Sequence, residues 1–250
     1  MDRTIFLLRE NDELLEMGEQ QYESEDLLQR LLEDHPNLLA GAMINRASPR
    51  RWLLIKREVA VPGEEGGGRW SADHLFLDQD AVPTLVEVKR STDTRIRREV
   101  VGQMLDYAAN AAVFWSLEFL KASFESTCEK RGDDPGTALA GFLGQEEDAD
   151  EFWQQAKTNL QAGRLRLLFV ADEIPPELRR IIEFLNEQMD PAEILGIEIK
   201  QFATGGLRTL VPSVLGQTEE AIRKKGAGSS RGGPQWTEER FFEHLASKQS

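Results

Sequence analysis

One apolar stretch of this chain is interrupted by a carboxylate and an ammonium group two positions apart. It reads Leu85-Val-Glu-Val-Lys-Arg90. In a β-strand, side chains two positions apart lie on the same face, so Glu87 and Lys89 project together. Val86 and Val88 then project to the other face. Burying both charges only as structure is costly, whereas a bound metal ion and a phosphate group would account for both.

A second carboxylate, Asp73, precedes this stretch. Residues 69–78 and 83–89 are predicted to be strands joined by a short turn around Gln79-Asp80. An antiparallel pair of this kind can bring Asp73 and Glu87 side by side. Two clustered carboxylates with open coordination positions suit Mg²⁺ or Mn²⁺, which can activate water and neutralise charge on a phosphate. The compact charge of Lys89 suits holding that water or phosphate.

A helix predicted from about Thr94 to Leu120 carries two further polar candidates, Gln103 and Tyr107. They lie on the same stripe of the helix as apolar residues, which should face the sheet. A buried tyrosine with a bonded hydroxyl is ordinary there. A glutamine on that stripe needs partners for its amide. We therefore predict that both residues contact the edge of the active site or the substrate.

The same Glu-x-Lys spacing occurs again in Glu198-Ile-Lys200, with Asp190 upstream. The first copy is the better candidate, because Asp73 lies in a strand-like run whereas Asp190 lies at a helix end. We predict that Glu198 and Lys200 lie on the exposed side of an edge strand.

Other polar residues near the first copy fit structural roles better. Asp78 and Asp80 could replace Asp73 if the strand boundary differs, but they suit a turn. His74 is adjacent to Asp73, so it faces the opposite side of the sheet and is predicted to be structural.

The overall charge limits the partners of this protein. A formal net charge of −14 argues against generic, charge-driven binding of nucleic acid. It leaves room for local recognition, because basic residues cluster after Glu87. The candidate phosphate contacts are Arg90, Arg95, Arg97 and Arg98. No apolar run is long enough to span a membrane. The single cysteine, Cys128, excludes an intramolecular disulfide and suggests a cytoplasmic location.

The order of predicted elements defines the fold class as α/β, with a mixed sheet flanked by helices. A helix over 24–34, with Ser24 as N-cap, precedes a strand over 52–60 and the two strands already described. A partly helical, acidic insertion near 121–163 separates the long helix from a strand over 165–171. A helix over 175–189 and strands over 194–202 and 207–212 follow. We assign 1–215 to one domain, 216–235 to a flexible linker and 236–250 to the start of a C-terminal helical segment.

This arrangement resembles the PD-(D/E)XK nuclease superfamily over roughly residues 24–171. Members share a restriction-endonuclease-like core of a helix, three strands, a helix and a strand. In that pattern Asp73 matches the metal-binding aspartate, Glu87 the second carboxylate and Lys89 the motif lysine. The chain departs from it at Ala72, where the pattern has a proline.

The resemblance implies further residues of the site. The backbone carbonyl of Val88 would be another metal ligand, and Glu25 occupies the helical position where many members place an additional acidic residue. Gln103 and Tyr107 match the Gln-x-x-x-Tyr pattern of the RecB-like branch. The chain is also similar to NucS-like members of the superfamily.

Three interpretations follow. The first is a Mg²⁺- or Mn²⁺-dependent nuclease that hydrolyses phosphodiester bonds, with DNA as the favoured substrate. The second is a catalytically silent nuclease-fold module that binds nucleic acid or a partner protein, as the acidic charge and the C-terminal segment suggest. A homodimer, or a protein partner bound through that segment, stays open. The third is an α/β domain in which Glu87 and Lys89 form a semi-buried ion pair, which adds little net stability.

Overall fold

In the part of the chain that the structure describes, eight strands form a mixed, open sheet with helices on both of its faces. The computed structural model describes residues 4–61, 70–92, 99–144 and 148–229. The strands are β1 (Thr4–Leu8), β2 (Leu14–Glu19), β3 (Trp52–Val61), β4 (Trp70–Asp78), β5 (Pro83–Lys89), β6 (Arg166–Ala171), β7 (Glu193–Thr204) and β8 (Leu207–Leu215). The helices are α1 (Glu25–Asp34), α2 (Gly41–Ile44), α3 (Glu99–Phe114), α4 (Leu117–Arg131), α5 (Pro135–Leu143), α6 (Ala149–Gln161), α7 (Pro176–Gln188) and α8 (Glu219–Ser229), with a 3-10 helix at Pro36–Leu39.

The strands are ordered β1-β2-β7-β6-β5-β4-β3, and β8 also pairs with β7. The β5–β6 and β6–β7 pairs are parallel, and the other pairs are antiparallel. The α/β class and the mixed sheet flanked by helices are therefore confirmed. From α1 to β6 the elements are α1, the 3-10 helix, α2, the strands β3, β4 and β5, the helices α3 to α6, and β6.

Two apolar cores cover the two faces of the sheet. On one face, Leu75 and Leu85 pack with Met104 and Tyr107 of α3. On the other face, Leu28 and Leu32 of α1 pack against residues of the strands. Those strand residues include Phe76, Val86, Val88 and Leu168. Because side chains alternate along β5, Glu87 lies on the α3 side and its valine neighbours lie on the α1 side.

Helix α1 forms where the sequence predicts it. The Ser24 hydroxyl accepts a hydrogen bond from the Leu27 N–H at 3.1 Å, which satisfies one of the free donors of the first turn. Leu28 and Leu32 are spaced to share the buried face. The helix ends at Asp34, just before Pro36. This cap places Glu25 in the first turn.

The single helix predicted from about Thr94 to Leu120 is in fact two helices, with a break at Trp115 and Ser116. Helix α3 ends at Phe114, and Ser116 begins α4 as its N-cap by accepting a hydrogen bond from the Phe119 N–H at 3.1 Å. The Trp115 indole N–H donates to the Ala60 carbonyl at 3.2 Å and fixes the corner. A local serine cap therefore overrides a continuous helical pattern. The predicted start of this helix lies outside the described residues.

Near the C-terminus the structure differs from the linker that composition predicts. Helix α8 occupies part of that segment, with the Thr218 hydroxyl accepting a hydrogen bond from the Ala221 N–H at 3.1 Å. Ala221 is buried. Capping and burial thus favour a helix despite the glycine-rich composition. Residues 230–250 lie outside the described part of the chain, and with them the predicted C-terminal helical segment.

Strands β1 and β2 were not predicted, and they extend the sheet beyond β7. The expectation of an edge strand around Glu198 is also wrong, because β7 pairs with β6, β2 and β8. Within the described ranges, no helix combines the length and the hydropathy needed to cross a membrane.

Candidate active site

Asp73 lies beside Glu87 where β4 and β5 separate. The register pairs His74 with Val86 and Leu75 with Leu85. One step further along the same register places Asp73 opposite Glu87. There the side chain takes over from the backbone ladder, since Oδ2 of Asp73 accepts a hydrogen bond from the Val88 N–H at 2.6 Å. The carboxylate is therefore fixed at the end of the strand pair.

The neighbouring strand is distorted at the same level. The β3–β4 register pairs Arg57 with His74 and Val59 with Ala72. Glu58 lies between them with a φ of 52°, in the left-handed region. A residue other than glycine in that conformation costs on the order of 1 kcal/mol. Backbone strain thus coincides with the point where Asp73 leaves the regular sheet.

Lys89 connects the acidic groups of the site. Its Nζ lies 2.9 Å from Oε1 of Glu87 and 3.7 Å from Oε2 of Glu25, and it donates to the Val88 carbonyl at 3.1 Å. Oε1 of Glu25 accepts a hydrogen bond from the Arg90 N–H at 3.3 Å. Strands β4 and β5 and helix α1 therefore bring together the carboxylates, the lysine and the carbonyl that the sequence analysis selects.

Glu87 is buried and Asp73 is half-buried, and both surroundings disfavour the charged form of the carboxylate. Glu87 is 2% exposed, and its Oε2 is buried without a hydrogen-bond partner among the described residues. Burial and the neighbouring Asp73 raise the pKa of Glu87 to about 7, although Lys89 opposes the shift. Burial also raises the pKa of Asp73 to about 6, against the lowering effect of the Val88 N–H. Two adjacent carboxylates with raised pKa values gain from a cation placed between them.

The ammonium group of Lys89 responds in the opposite sense. Burial works against its charge, but the carboxylates of Glu87, Asp73 and Glu25 outweigh that effect and raise the pKa of Lys89. The lysine therefore stays protonated at neutral pH and is available as a hydrogen-bond donor.

The donor atoms of this site fit a small, hard cation. Asp73 and Glu87 offer carboxylate oxygens, and Val88 offers a backbone carbonyl, the ligand types that Mg²⁺ and Mn²⁺ prefer. Across the described ranges, no three Asp, Glu, His or Cys side chains form a group that could hold a metal ion. Glu25 is instead engaged with Lys89 and Arg90. The unpartnered Oε2 of Glu87 is the oxygen that is free to bind a cation among the described contacts, and water would have to supply most ligands of such an ion.

Gln103 and Tyr107 support the site without bonding to its carboxylates among the described contacts. The Gln103 amide donates to the Tyr107 hydroxyl, which in turn donates to the Ser71 carbonyl at 3.1 Å. Burial and the nearby Glu87 and Asp73 raise the pKa of Tyr107. The two residues therefore hold the backbone of β4 just before Asp73.

Of the four candidate phosphate contacts, only Arg90 falls within the described ranges. Its guanidinium donates to the Glu23 carbonyl at 3.3 Å. The others, Arg95, Arg97 and Arg98, lie outside the described residues. Arg57, which was not selected, is ion-paired with Asp26 and Glu33, and its charge counteracts the upward shift in the pKa of Asp73.

Asp172 is a residue of this region that the sequence analysis missed. It directly follows β6 and is 8% exposed. Its Oδ1 accepts hydrogen bonds from the Ser91 N–H at 2.7 Å and the Glu173 N–H at 3.1 Å, and its Oδ2 accepts one from the Ser91 hydroxyl at 3.0 Å. The sequence could have indicated Asp172, because it follows a predicted strand and the carboxyl ends of parallel strands meet at one edge of a sheet.

The second Glu-x-Lys copy has a different environment. Oε1 of Glu198 accepts a hydrogen bond from the Ile174 N–H at 2.8 Å, and Nζ of Lys200 lies 2.9 Å from Oε1 of Glu19. The strand partners of Glu198 are Ala171 and Ser213, so no carboxylate lies opposite.

The remaining candidates have structural partners. His74 is buried with its ring Nε2 3.0 Å from the Gln29 carbonyl, and burial lowers the pKa of His74 to about 4. Asp78 accepts hydrogen bonds from the turn that follows β4 and pairs with Arg166 at 3.0 Å, whereas Asp80 pairs with Arg50. These acids lie at the opposite end of β4 from Asp73.

No protein-family model, curated protein or solved structure matches this chain. What the site can do therefore has to follow from its own geometry.

Proposed function

We propose that the protein is a divalent-metal-dependent nuclease with a restriction-endonuclease-like core, which hydrolyses phosphodiester bonds and favours DNA. The observation that carries this proposal is the pair of adjacent carboxylates, one buried and one half-buried, where β4 and β5 separate. Asp73 is fixed by the Val88 N–H at 2.6 Å, and Glu87 keeps one oxygen without a partner. Lys89 lies 2.9 Å from Glu87. This combination of acids and ammonium suits a cation and a phosphate together.

Asp73, Glu87 and the Val88 carbonyl would hold Mg²⁺ or Mn²⁺. When bound, the ion would supply activation of water and neutralisation of charge on the scissile phosphate. Lys89 keeps its proton and can donate it in a hydrogen bond to a phosphate oxygen or to the attacking water. Glu25 lies 3.7 Å from the Lys89 ammonium and limits where that group can move.

The surroundings assign supporting roles to other residues. Gln103 and Tyr107 maintain the position of β4 through the Ser71 carbonyl. Arg90, together with the candidates Arg95, Arg97 and Arg98, would contact phosphates of the nucleic acid. In a chain with a net charge of −14, such contacts act locally and should weaken steeply with salt.

The direct test replaces Asp73 by asparagine and uses Asp190→Asn as the matched control at the second motif. Metal-dependent cleavage of single-stranded DNA, double-stranded DNA and RNA is measured with Mg²⁺ or Mn²⁺. We expect Asp73→Asn to lose at least about 10²-fold in rate, the scale seen when one electrostatic contributor is removed from an active site. Asp190→Asn should cleave like the wild type. Equal rates for the wild type and Asp73→Asn, or no cleavage by the wild type, would refute the proposal.

A second candidate function is a silent nuclease-fold module that binds nucleic acid or a partner protein. The 2.9 Å ion pair between Lys89 and Glu87 favours it, because that pair already balances one of the buried carboxylates without a metal ion. Calorimetry distinguishes the two functions. Tight binding of DNA or of a partner protein without any binding of Mg²⁺ or Mn²⁺ would support the silent module.

A further inference from the structure

Three backbone N–H groups around Lys89 each donate to a carboxylate, and each carboxylate comes from a different part of the fold. The pairs are Val88 with Asp73 of β4 at 2.6 Å, Arg90 with Glu25 of α1 at 3.3 Å, and Ser91 with Asp172 after β6 at 2.7 Å. The ladder between β5 and β6 continues to Lys89, whereas the regular β4–β5 pairing ends at Val86, and acidic side chains bind the N–H groups that follow.

Asp172 differs from the other two acids in how fully its oxygens are engaged. Besides the Ser91 N–H, it accepts hydrogen bonds from the Ser91 hydroxyl at 3.0 Å and from the Glu173 N–H at 3.1 Å. The carboxylate is thus tied to the ends of both β5 and β6. Asp73, in contrast, has to share its oxygens between the backbone and any cation. Asp172 can hold the strand end regardless of whether a cation is present, because its bonds to Ser91 involve both of its oxygens.

The surroundings of Asp172 strengthen these bonds. Asp172 is 8% exposed, and Tyr22, from the segment before α1, is 1% exposed. Burial and the nearby Asp172 carboxylate raise the pKa of Tyr22, so the two buried groups lie close together in the interior. Hydrogen bonds to a charged group in such a region are stronger than in water and costly to lose.

We infer that Asp172 is a positioning residue for the metal site, acting through Ser91 to keep the Val88 carbonyl and Lys89 in place. This inference rests on the proposed function. Ser91 lies only two positions after Lys89, so fixing its backbone N–H and its hydroxyl restricts the path of the strand end. Small displacements of ligands or of catalytic groups lower metal affinity or reaction rate. The removal of hydrogen bonds that support metal ligands has the same effect.

The test compares variants at Asp172 with a control variant at Glu198, an acid that also accepts a hydrogen bond from the loop after β6. Asp172→Asn keeps the size of the side chain, and Asp172→Ala removes all three hydrogen bonds. Glu198→Ala is the control, because it removes the acceptor of the Ile174 N–H without touching β5. Binding of Mn²⁺ alone to the full chain is titrated by electron paramagnetic resonance, and circular dichroism melts confirm that each variant is folded.

We expect the dissociation constant for Mn²⁺ to rise about ten-fold in Asp172→Ala and by less in Asp172→Asn. Glu198→Ala should bind Mn²⁺ like the wild type even if its melting temperature falls. If both Asp172 variants bind Mn²⁺ as the wild type does, the inference is wrong and the proposed function stands. If the wild type binds no Mn²⁺ and cleaves no nucleic acid, the inference and the proposed function fall together. Should Asp172→Ala not fold, Asp172→Asn decides between these outcomes.

Discussion

Glu87-Val-Lys89 in β5 and Glu198-Ile-Lys200 in β7 share residue types, spacing and an apolar strand, yet their surroundings differ. Glu87 pairs with Lys89 at 2.9 Å and retains a buried oxygen without a partner among the described residues. Glu198 accepts the Ile174 N–H at 2.8 Å, and Lys200 pairs with Glu19 of β2 at 2.9 Å. In the second copy each charge has a separate structural partner.

The strand that lies alongside accounts for this difference. Continuing the β4–β5 register places Asp73 opposite Glu87, whereas Glu198 has Ala171 and Ser213 beside it. A lone glutamate in a sheet can be satisfied by one backbone N–H. Two adjacent carboxylates cannot both be ionised without a counter-charge. Which chemistry a Glu-x-Lys motif can carry out therefore depends more on the residue opposite its glutamate than on the motif itself.

The largest expected contrast between the copies is in catalysis. Lys89→Ala should lower the rate of metal-dependent DNA cleavage by at least about 10²-fold, because it removes the donor beside both carboxylates. Lys200→Ala should cleave at a rate close to the wild type, since its partner Glu19 belongs to a distant strand. Single-turnover assays at saturating metal measure both rates. Similar losses of cleavage rate in the two variants would contradict the functional difference between the two motifs.

A smaller contrast concerns the pH dependence of stability without metal. The pKa values of Glu87 and Asp73 are raised by burial to about 7 and about 6, so the folded state holds protons that the unfolded chain releases. The favourable contribution of Glu87 is fully present below its ordinary pKa near 4.5 and is lost as pH rises through about 7. The free energy of unfolding should therefore fall by on the order of 3 kcal/mol between pH 4 and pH 8.

The Glu87→Gln variant isolates this effect. In chelator it should be more stable than the wild type at pH 8 and lose less stability across the same pH range. Glu198→Gln should keep the fall in stability that the wild type shows. Urea unfolding at several pH values measures all three proteins. A wild type that becomes more stable from pH 5 to pH 8 would contradict the assignment of the buried pair.

The smallest effect is expected at the second motif. Glu198→Ala leaves the Ile174 N–H without its acceptor and should destabilise the protein by about 1 kcal/mol. Cleavage should be retained, because Glu198 bonds only to the loop after β6 in the described structure. Chemical denaturation, with cleavage assayed in parallel, tests both expectations. A loss of activity larger than the loss of stability explains would assign this copy a role in the site.

Local patterns were sufficient to predict where the central candidate residues lie. The alternation of side chains and a short turn place Asp73 near Glu87, and the Ser24 cap places Glu25 on α1. The stripe that carries Gln103 and Tyr107 faces the sheet as its helical spacing predicts. Their partner, the Ser71 carbonyl, could not be predicted. The contact depends on the position of β4 along α3, which local sequence patterns do not give.

Long-range pairing explains most of what the sequence did not reveal. Ser91 and Asp172 are 81 positions apart and meet only because β5 and β6 are parallel neighbours. The interior position of β7 depends in the same way on β2, β6 and β8. The break at Ser116 has a local cause, since one serine hydroxyl caps the new helix. A continuous helical pattern hides such a cap.

Anomalous diffraction from crystals soaked in Mn²⁺ tests the central claim most directly, because it locates the ion rather than its effects. We predict a peak between Asp73 and Glu87, where the two carboxylates and the Val88 carbonyl would hold the ion. No such peak should lie beside Glu198 and Lys200. A map with no density between Asp73 and Glu87 at saturating Mn²⁺, or with the ion at Glu198 instead, would contradict this account of the site.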